Sequence, residues 1–356
     1  MLLEAIEKDA AVEISRGPRM LRYFRIGSLV VGHGSDHHAV LPQKFDNEKD
    51  NPFPFFLERQ ISEQHRRYQQ KADVIILNGD HYGAPNGEPA QKAVAFMLNY
   101  MAEKHPDVQF IYVPGNHCLR GAGDEAWRNF GALRENILAP LGDGMNPVAI
   151  TIKGIKIVAG NIFYDGTFLD PEPFGFKREE VEESYENSPD RKYLFNGRRD
   201  NFRKMADNLA AALQPDVNIL VTHMLPHSLL ATLRLGPMTD YVAELGRKNH
   251  VNIRHDPVYE EEQAAKVGIT ARQFRRTWSG RTLSNMGSNV LTRPGFPQDH
   301  GGLHIVYGHS HVSIKPKIRE NGTPMFNKGG IPIWYERQMW ITHSQQWQWG
   351  PKPQAG

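Results

Sequence analysis

Residues able to bind a metal ion recur at the ends of apolar runs in this sequence. The runs "SLVV", "DVIILN", "VQFIYVP", "VNILV" and "LHIVY" are each followed by aspartate, asparagine or histidine. One ending of this kind is typical of an ordinary turn, but five in one chain indicate a shared metal site. The residues are Asp36, His38, Asp80, Asn116, His117, His223, His309 and His311.

The elements around these residues are predicted to alternate between strands and helices. Helical patterns over "FFLERQISEQHRRYQQKA" and "PAQKAVAFMLNYMAEKHP" separate the first three apolar runs, which predicts parallel strands with crossover helices. Residues 146–165 predict two further strands joined at Lys153-Gly154, and "RRDNFRKMADNLAAALQPD" predicts a helix. Loops beyond the carboxyl ends of parallel strands converge on one crevice, so we expect the metal-binding side chains to be neighbours.

The predicted organisation is one main domain over residues 21–345. An extension over 1–20 precedes it, with a short amphipathic helix, and a flexible tail over 346–356 follows. Within the domain, residues 226–300 lose the strand and helix pattern and become rich in Arg, Asn, Gly and Thr. We interpret them as an insertion or lid.

Composition excludes several classes of protein. The 356 residues can bury a large core, and they contain no apolar run long enough to cross a bilayer and no signal-peptide pattern at the start. The only cysteine, Cys118, excludes an internal disulfide and fits a reducing compartment. We therefore expect a soluble, cytoplasmic protein with no membrane partner. A net charge of +2 predicts no global attraction to nucleic acid, so such contacts need local patches.

The ordered motifs D-x-H, G-D, G-N-H, H and G-H-x-H resemble those of the calcineurin-like metallophosphoesterase superfamily. In this chain they read "DHH" from Asp36, "GD" at Asp80, "GNH" ending at His117, "TH" at His223 and "GHSH" from Gly308. The resemblance implies an α/β fold, a four-layer α/β/β/α sandwich with metals at the strand ends. The strand and helix pattern alone does not choose two sheets over one.

The resemblance also implies the ligand sets of two divalent metal ions, with Asp80 bridging them. The first ion takes Asp36, His38, Asp80 and His311, and the second takes Asp80, Asn116, His223 and His309. Nitrogen and oxygen ligands without a thiolate favour Mn, with Fe or Zn as alternatives. Two such ions, about 3.5–4 Å apart, hold a hydroxide at neutral pH and neutralise phosphoryl oxygens during in-line displacement.

His117 is not a metal ligand by this resemblance. It is expected to donate a proton to the leaving oxygen or to stabilise the transition state, a role that suits imidazole; the alternative is a hydrogen bond to a ligand. Many members carry Asp or Glu at the next position, where Cys118 stands here, so the group that orients His117 is open. His37 should turn away from Asp36 and His38, because alternate residues share a side.

Three arginines are candidates for binding a substrate phosphate: Arg120, Arg198 and Arg199. A solvated face is the alternative for the last two. His81 and His227 are expected to support the ligands or to face substrate. The stretch "RQFRRTWSGR" mixes arginine with aromatic residues and either grips nucleic acid or packs as a basic helix.

The predicted function is dimetal hydrolysis of phosphate esters, with phosphodiesters of nucleotides or nucleic acid favoured. A nuclease similar to the DNA double-strand-break repair exonucleases is the sharper variant, and a small-molecule phosphomonoesterase is the alternative. The longer signatures of the protein Ser/Thr phosphatases are missing from "GDHYGAPNG" and "GNHCLR". A non-catalytic scaffold is the opposing class. The sequence leaves the oligomeric state open.

Overall fold

The fold is known from a computed structural model that describes part of the chain. The described residues are 21–35, 37, 39–40, 53–69, 71–84, 87–120, 130–141, 144–165, 167, 199–226, 287–291, 293–297, 303–308, 337–341 and 346–351. The predicted helix in 1–20 and the interior of the predicted insertion lie outside these residues, and the proposed domain boundaries stay predictions. None of the helices described has both the length and the apolar character needed to span a bilayer.

The first sheet has five strands in the order β1-β2-β4-β6-β7, parallel except for the β1–β2 hairpin. Along the chain, helix α1 (Phe53–Tyr68) lies between β2 and β4, and helix α2 (Glu88–Lys104) lies between β4 and β6. This order confirms the predicted parallel strands with crossover helices. The bounds are β1 Arg22–Ile26, β2 Leu29–Gly34, α1 Phe53–Tyr68, β4 Val74–Leu77, α2 Glu88–Lys104, β6 Gln109–Tyr112 and β7 Ile137–Leu138.

The second sheet has six strands in the order β12-β13-β11-β10-β9-β8. Strands β9, β10 and β11 are parallel, whereas β8 pairs antiparallel with β9 through a turn at Lys153 and Gly154, both with positive φ, as the sequence predicted. The bounds are β8 Val148–Ile152, β9 Ile155–Ala159, α4 Arg199–Ala212, β10 Ile219–Val221, β11 Leu303–Val306, β12 Arg337–Ile341 and β13 Gln346–Pro351.

Three short elements complete the described part. Strands β3 (Ala39–Val40) and β5 (Tyr82–Ala84) form a separate parallel pair, and helix α3 (Asn116–Leu119) follows β6. Strand β13 occupies Gln346–Pro351, within the predicted tail, and pairs with β11 and β12; the boundary of the tail stays a prediction. The alternation of tryptophan with other residues in "QWQWGP" has the period of a strand.

Alternate strand residues face two different layers. In β4, Val74 and Ile76 pack in the cluster between the two sheets, while Ile75 and Leu77 pack in the cluster that contains the helices. Strand β10 behaves in the same way, with Ile219 and Val221 between the sheets. Strands covered on both faces explain why the motif-bearing runs are continuously apolar. The two sheets with their outer helices confirm the predicted α/β fold.

A partly buried ion cluster joins Arg293 to the segment after β9 and to helix α4. Arg293 contacts the carboxylates of Asp165 and Asp207, and Asp165 is fully buried. Nearby, Leu225 forms a parallel bridge with Gly287. The chain therefore leaves the second sheet after β10 and returns beside the point of departure.

Candidate active site

The predicted site residues follow strands whose carboxyl ends are adjacent. The Asn78 N–H donates to the carbonyl of Gly34 at 2.9 Å, and the Val113 N–H donates to that of Leu77 at 3.0 Å. In the second sheet, the Gly308 N–H donates to the carbonyl of His223 at 2.9 Å. The loops after β2, β4 and β6 therefore run together, as do those after β10 and β11.

Asn78 connects the two sheets directly beneath the site. Its side-chain Nδ2 donates to the carbonyl of Thr222 at 2.8 Å, and its own carbonyl accepts a hydrogen bond from Nδ1 of His223. Among the described residues, its Oδ1 is buried without a hydrogen-bond partner. Sequence reasoning missed Asn78; the available signal was an amide side chain at the end of an apolar run, immediately before Gly-Asp.

Two glycines let the Asp80 and Asn116 loops approach each other. Gly79 has φ of +73°, and a Cβ added there would lie 2.1 Å from the backbone nitrogen of Gly115. A Cβ on Gly115 would lie 2.1 Å from Oδ1 of Asp80. Asp80 itself has φ of +50°, a backbone conformation that residues other than glycine adopt uncommonly. Both glycines of the G-D and G-N-H motifs are therefore required by contact.

Three potential metal ligands converge in the buried interior of this edge. Nε2 of His223 lies 3.2 Å from Oδ2 of Asp80 and 3.2 Å from Oδ1 of Asn116, and all three residues are at most 2% exposed. Since Nδ1 of His223 donates to a carbonyl, a neutral ring presents its Nε2 lone pair to two oxygen acceptors. A cation bound among these atoms satisfies them, so their arrangement fits a divalent metal ion.

His117 and Arg120 are carried by the short helix that begins at Asn116. The His117 backbone N–H donates to Oδ1 of Asp80 at 2.9 Å, which leaves Oδ2 directed at His223. The Arg120 N–H donates to the carbonyl of Asn116 at 2.9 Å, and both His117 and Arg120 are partly exposed. The structure thus brings these two residues together with Asp80, Asn116 and His223.

Comparison with known families agrees with the order of the motifs. A family model described as calcineurin-like phosphoesterase matches residues 29–313, which is most of the chain and includes every predicted ligand. The chain belongs to the calcineurin-like phosphoesterase family. No curated protein matches the chain in a comparison of sequences. Members of this family are generally hydrolytic phosphoesterases and normally bind two divalent metal ions.

Several residues of the predicted phosphoesterase site lie outside the described residues, or begin an element whose side chain is not described. Within the described ranges, no three His, Cys, Asp or Glu side chains form a metal-binding group. The ligand set therefore stays a prediction, although Asp80, Asn116 and His223 meet. Outside the described residues are Asp36, His38, Arg198, His227, His309 and His311, and Arg199 is described only as the first residue of α4.

Cys118 is a packed core side chain rather than a candidate nucleophile. It is buried, the hydroxyl of Tyr112 donates to its Sγ at 3.3 Å, and burial raises the pKa of the thiol to about 11. A neutral buried thiol is a poor nucleophile. The side chain that stands where many family members carry a carboxylate faces Tyr112 in the core.

His81 and His37 form a pair at the edge of the site. Their Nδ1 atoms are 2.6 Å apart, and their rings stack at 4.8 Å. Burial, followed by the neighbouring His37, holds the pKa of His81 well below its ordinary value, so His81 is neutral. His37 is half-buried.

Proposed function

We propose that this protein hydrolyses phosphodiesters of nucleotides or nucleic acid with two divalent metal ions, manganese first and iron or zinc as alternatives. The observation that carries the proposal is the contact of three buried side chains: Oδ2 of Asp80 and Oδ1 of Asn116 each lie 3.2 Å from Nε2 of His223. Phosphoester hydrolysis by two metal ions is the chemistry that this ligand type serves in the family. We also propose a cytoplasmic location.

Each side chain has a distinct task in this proposal. Asp80 would contribute to holding both ions; Asn116, His223 and His309 would hold one of them with it, and Asp36, His38 and His311 the other. When bound, the ions supply an activated water and neutralise charge on the phosphoryl oxygens. The backbone N–H of His117 and the carbonyl of Asn78 fix the orientation of the Asp80 and His223 ligand groups.

His117 and the arginines act on the substrate. The imidazole of His117 donates a proton to the leaving oxygen, because a diester needs its alkoxide leaving group neutralised. Arg120, on the same helix, binds a phosphoryl oxygen with Arg198 and Arg199. The fixed turn of α3 keeps His117 and Arg120 one turn apart on the exposed side of Asn116.

The preference for a diester is supported by the sequence of the segment that follows β10. "RQFRRTWSGR", from Arg272 to Arg281, combines guanidinium groups with Phe274 and Trp278, the combination that binds phosphates and stacks on bases. It lies in the sequence between Leu225, two residues after His223, and Gly287, which form a bridge. We propose that it selects substrate.

The first experiment is manganese-dependent hydrolysis of bis-p-nitrophenyl phosphate beside p-nitrophenyl phosphate, with metal-stripped protein. Faster hydrolysis of the diester supports the proposal, and the next substrates are then cyclic nucleotides and single-stranded DNA. Faster hydrolysis of the monoester favours a phosphomonoesterase. Inactivity toward both, in a protein that binds no manganese, refutes the hydrolytic function and favours a scaffold.

His117→Ala tests the proposed proton donor. The variant should lose turnover while it still binds manganese, because the backbone N–H that contacts Asp80 remains. His65→Ala is the matched control, since His65 is also a half-buried imidazole, on α1. A His117→Ala protein with full activity would remove the assigned role.

A further inference from the structure

The first two metal-binding motifs lie on chain segments that run side by side between two ladders. The β2–β4 ladder ends where the Asn78 N–H meets the carbonyl of Gly34, and the β3–β5 pair begins where Ala39 faces Tyr82. His37 lies between these ladders in the first segment, and Asp80 and His81 lie between them in the second.

His37 and His81 are in contact across the two segments, one position out of the register of the flanking ladders. The Nδ1 atoms lie 2.6 Å apart, and the rings stack with an interplanar angle of 26°. Phe53, the first residue of α1, packs against the ring of His37 at 5.2 Å, and Tyr112 of β6 lies 6.1 Å from the ring of His81. Contacts on both sides therefore restrict the rings to this arrangement.

The neighbours of the pair in sequence are predicted ligands. Asp36 and His38 flank His37, and Asp80 immediately precedes His81. The contact between His37 and His81 therefore ties the segment after β2 to the segment that carries Asp80. His81 is fully buried, and its Nε2 has no hydrogen-bond partner among the described residues, so its Nδ1 contact with His37 is a polar anchor for the ring.

We propose that the His37–His81 pair is a clamp that holds the segment after β2 against the loop that carries Asp80, and that tight metal binding depends on it. The inference rests on the proposed function, because it takes the metal centre from there. Neither histidine is assigned as a ligand or as a catalytic residue. Contacts that orient metal ligands typically change affinity by about 10–100-fold when they are removed.

The contact is specific to one ring nitrogen, which gives a selective rescue. Asparagine places an amide group close to the position of Nδ1, whereas alanine places nothing there. His37→Asn should therefore retain more metal affinity than His37→Ala. His37 is half-buried, so its substitution perturbs packing less than that of His81.

The experiment is calorimetric titration of the metal-stripped full chain with Mn²⁺. His37→Ala should bind about 10–100-fold more weakly, His37→Asn should recover part of the loss, and His37→Ala/His81→Ala should be no weaker than the weaker single variant. His65→Ala, on α1 away from the pair, should bind like wild type. Melting temperatures of the metal-free proteins report folding, and His37→Ala alone suffices if His81→Ala does not fold.

The outcomes separate the clamp from the proposed function. If the wild-type chain binds Mn²⁺ and the His37→Ala variant binds it with equal affinity, the clamp is overturned and the proposed hydrolytic function is unaffected. Strictly additive losses in the double variant also overturn it, because a clamp is lost only once. A wild-type chain that binds no Mn²⁺ overturns the proposed metal centre itself, whatever the variants do.

Discussion

Gly115→Ala tests whether contact between two loops sets the position of the bridging carboxylate. The φ of Gly115 is −92°, so alanine is tolerated by the backbone. Its Cβ would lie 2.1 Å from Oδ1 and 2.6 Å from the backbone nitrogen of Asp80. Either the Asp80 residue or the Gly115 loop must therefore move. Overpacking of this kind costs about 1–3 kcal/mol, or less if the carboxylate swings aside.

Two further substitutions separate steric contact from backbone strain. Gly27→Ala introduces strain alone, because Gly27 has φ of +57° and nothing lies within 4 Å of an added Cβ. A non-glycine residue in this region costs about 1–2 kcal/mol. Gly79→Ala combines a φ of +73° with contact against the Gly115 backbone, so its cost should approach the sum, about 2–5 kcal/mol.

The assays are urea unfolding of the metal-free proteins and titration with Mn²⁺. Gly27→Ala should lose stability and keep wild-type metal affinity, because the β1–β2 turn is at the opposite end of β2 from the carboxyl ends that carry the site residues. Gly115→Ala should lose metal affinity whether or not it loses stability, since either adjustment displaces Asp80 relative to Asn116. The reasoning is refuted if Gly115→Ala unfolds at the wild-type urea concentration and binds Mn²⁺ as tightly as wild type.

Three further predictions concern the rest of the described structure. Burial lowers the pKa of both His65 and His105, so their contribution to the free energy of unfolding should be complete above about pH 6.5 and should be lost as pH falls from there through the lowered values. Urea midpoints from pH 8 to pH 5 measure this. Arg293→Ala should destabilise the fold by up to about 3–5 kcal/mol, because it removes the ion pair to the buried carboxylate of Asp165, which keeps only its hydrogen-bond partners such as Thr167. Replacing residues 228–285 with a short Gly-Ser linker should preserve Mn²⁺ binding and change the ratio of diester to monoester hydrolysis.

Each of these predictions has a control. His65→Gln keeps a hydrogen-bond acceptor for the Ala72 N–H without a titrating ring, so its stability should depend less on pH. Lys156→Ala breaks an exposed ion pair with Asp216 and should cost less than about 1 kcal/mol. The linker is short because Leu225 and Gly287 are bridged. An unchanged substrate profile would contradict the role given to that segment, and an Arg293→Ala protein of wild-type stability would contradict the ion cluster.

The convergence of site residues could be predicted because it depends on strand direction. Asp80, Asn116 and His223 each follow a buried parallel strand, and the carboxyl ends of such strands meet at one edge. This rule needs only the strand pattern, which the apolar runs provide. The turn at Lys153-Gly154 was predictable for a similar reason, since its sequence permits positive φ.

The support of the site could not be predicted because it depends on how elements pack. The amide of Asn78 reaches Thr222 only because two sheets face each other, and strand periodicity does not distinguish two sheets from one. The short strand β3 and the contact between His37 and His81 depend on how two loops are aligned with each other. A polar loop sequence has no apolar periodicity from which that alignment could be predicted. Pairing of β13 was hidden by its position beside a Pro/Gly-rich end.

These unpredicted contacts share a physical function. Asn78, Gly79 and His81 lie within four residues of the end of β4, in the loop that also contains Asp80. Two buried polar groups of this loop have specific partners, since Nδ2 of Asn78 donates to the carbonyl of Thr222 and Nδ1 of His81 contacts Nδ1 of His37. The loop can therefore hold Asp80 at a positive φ and present both of its oxygens in fixed directions. A metal ion that binds there meets ligands that are already ordered, so little conformational entropy opposes its binding.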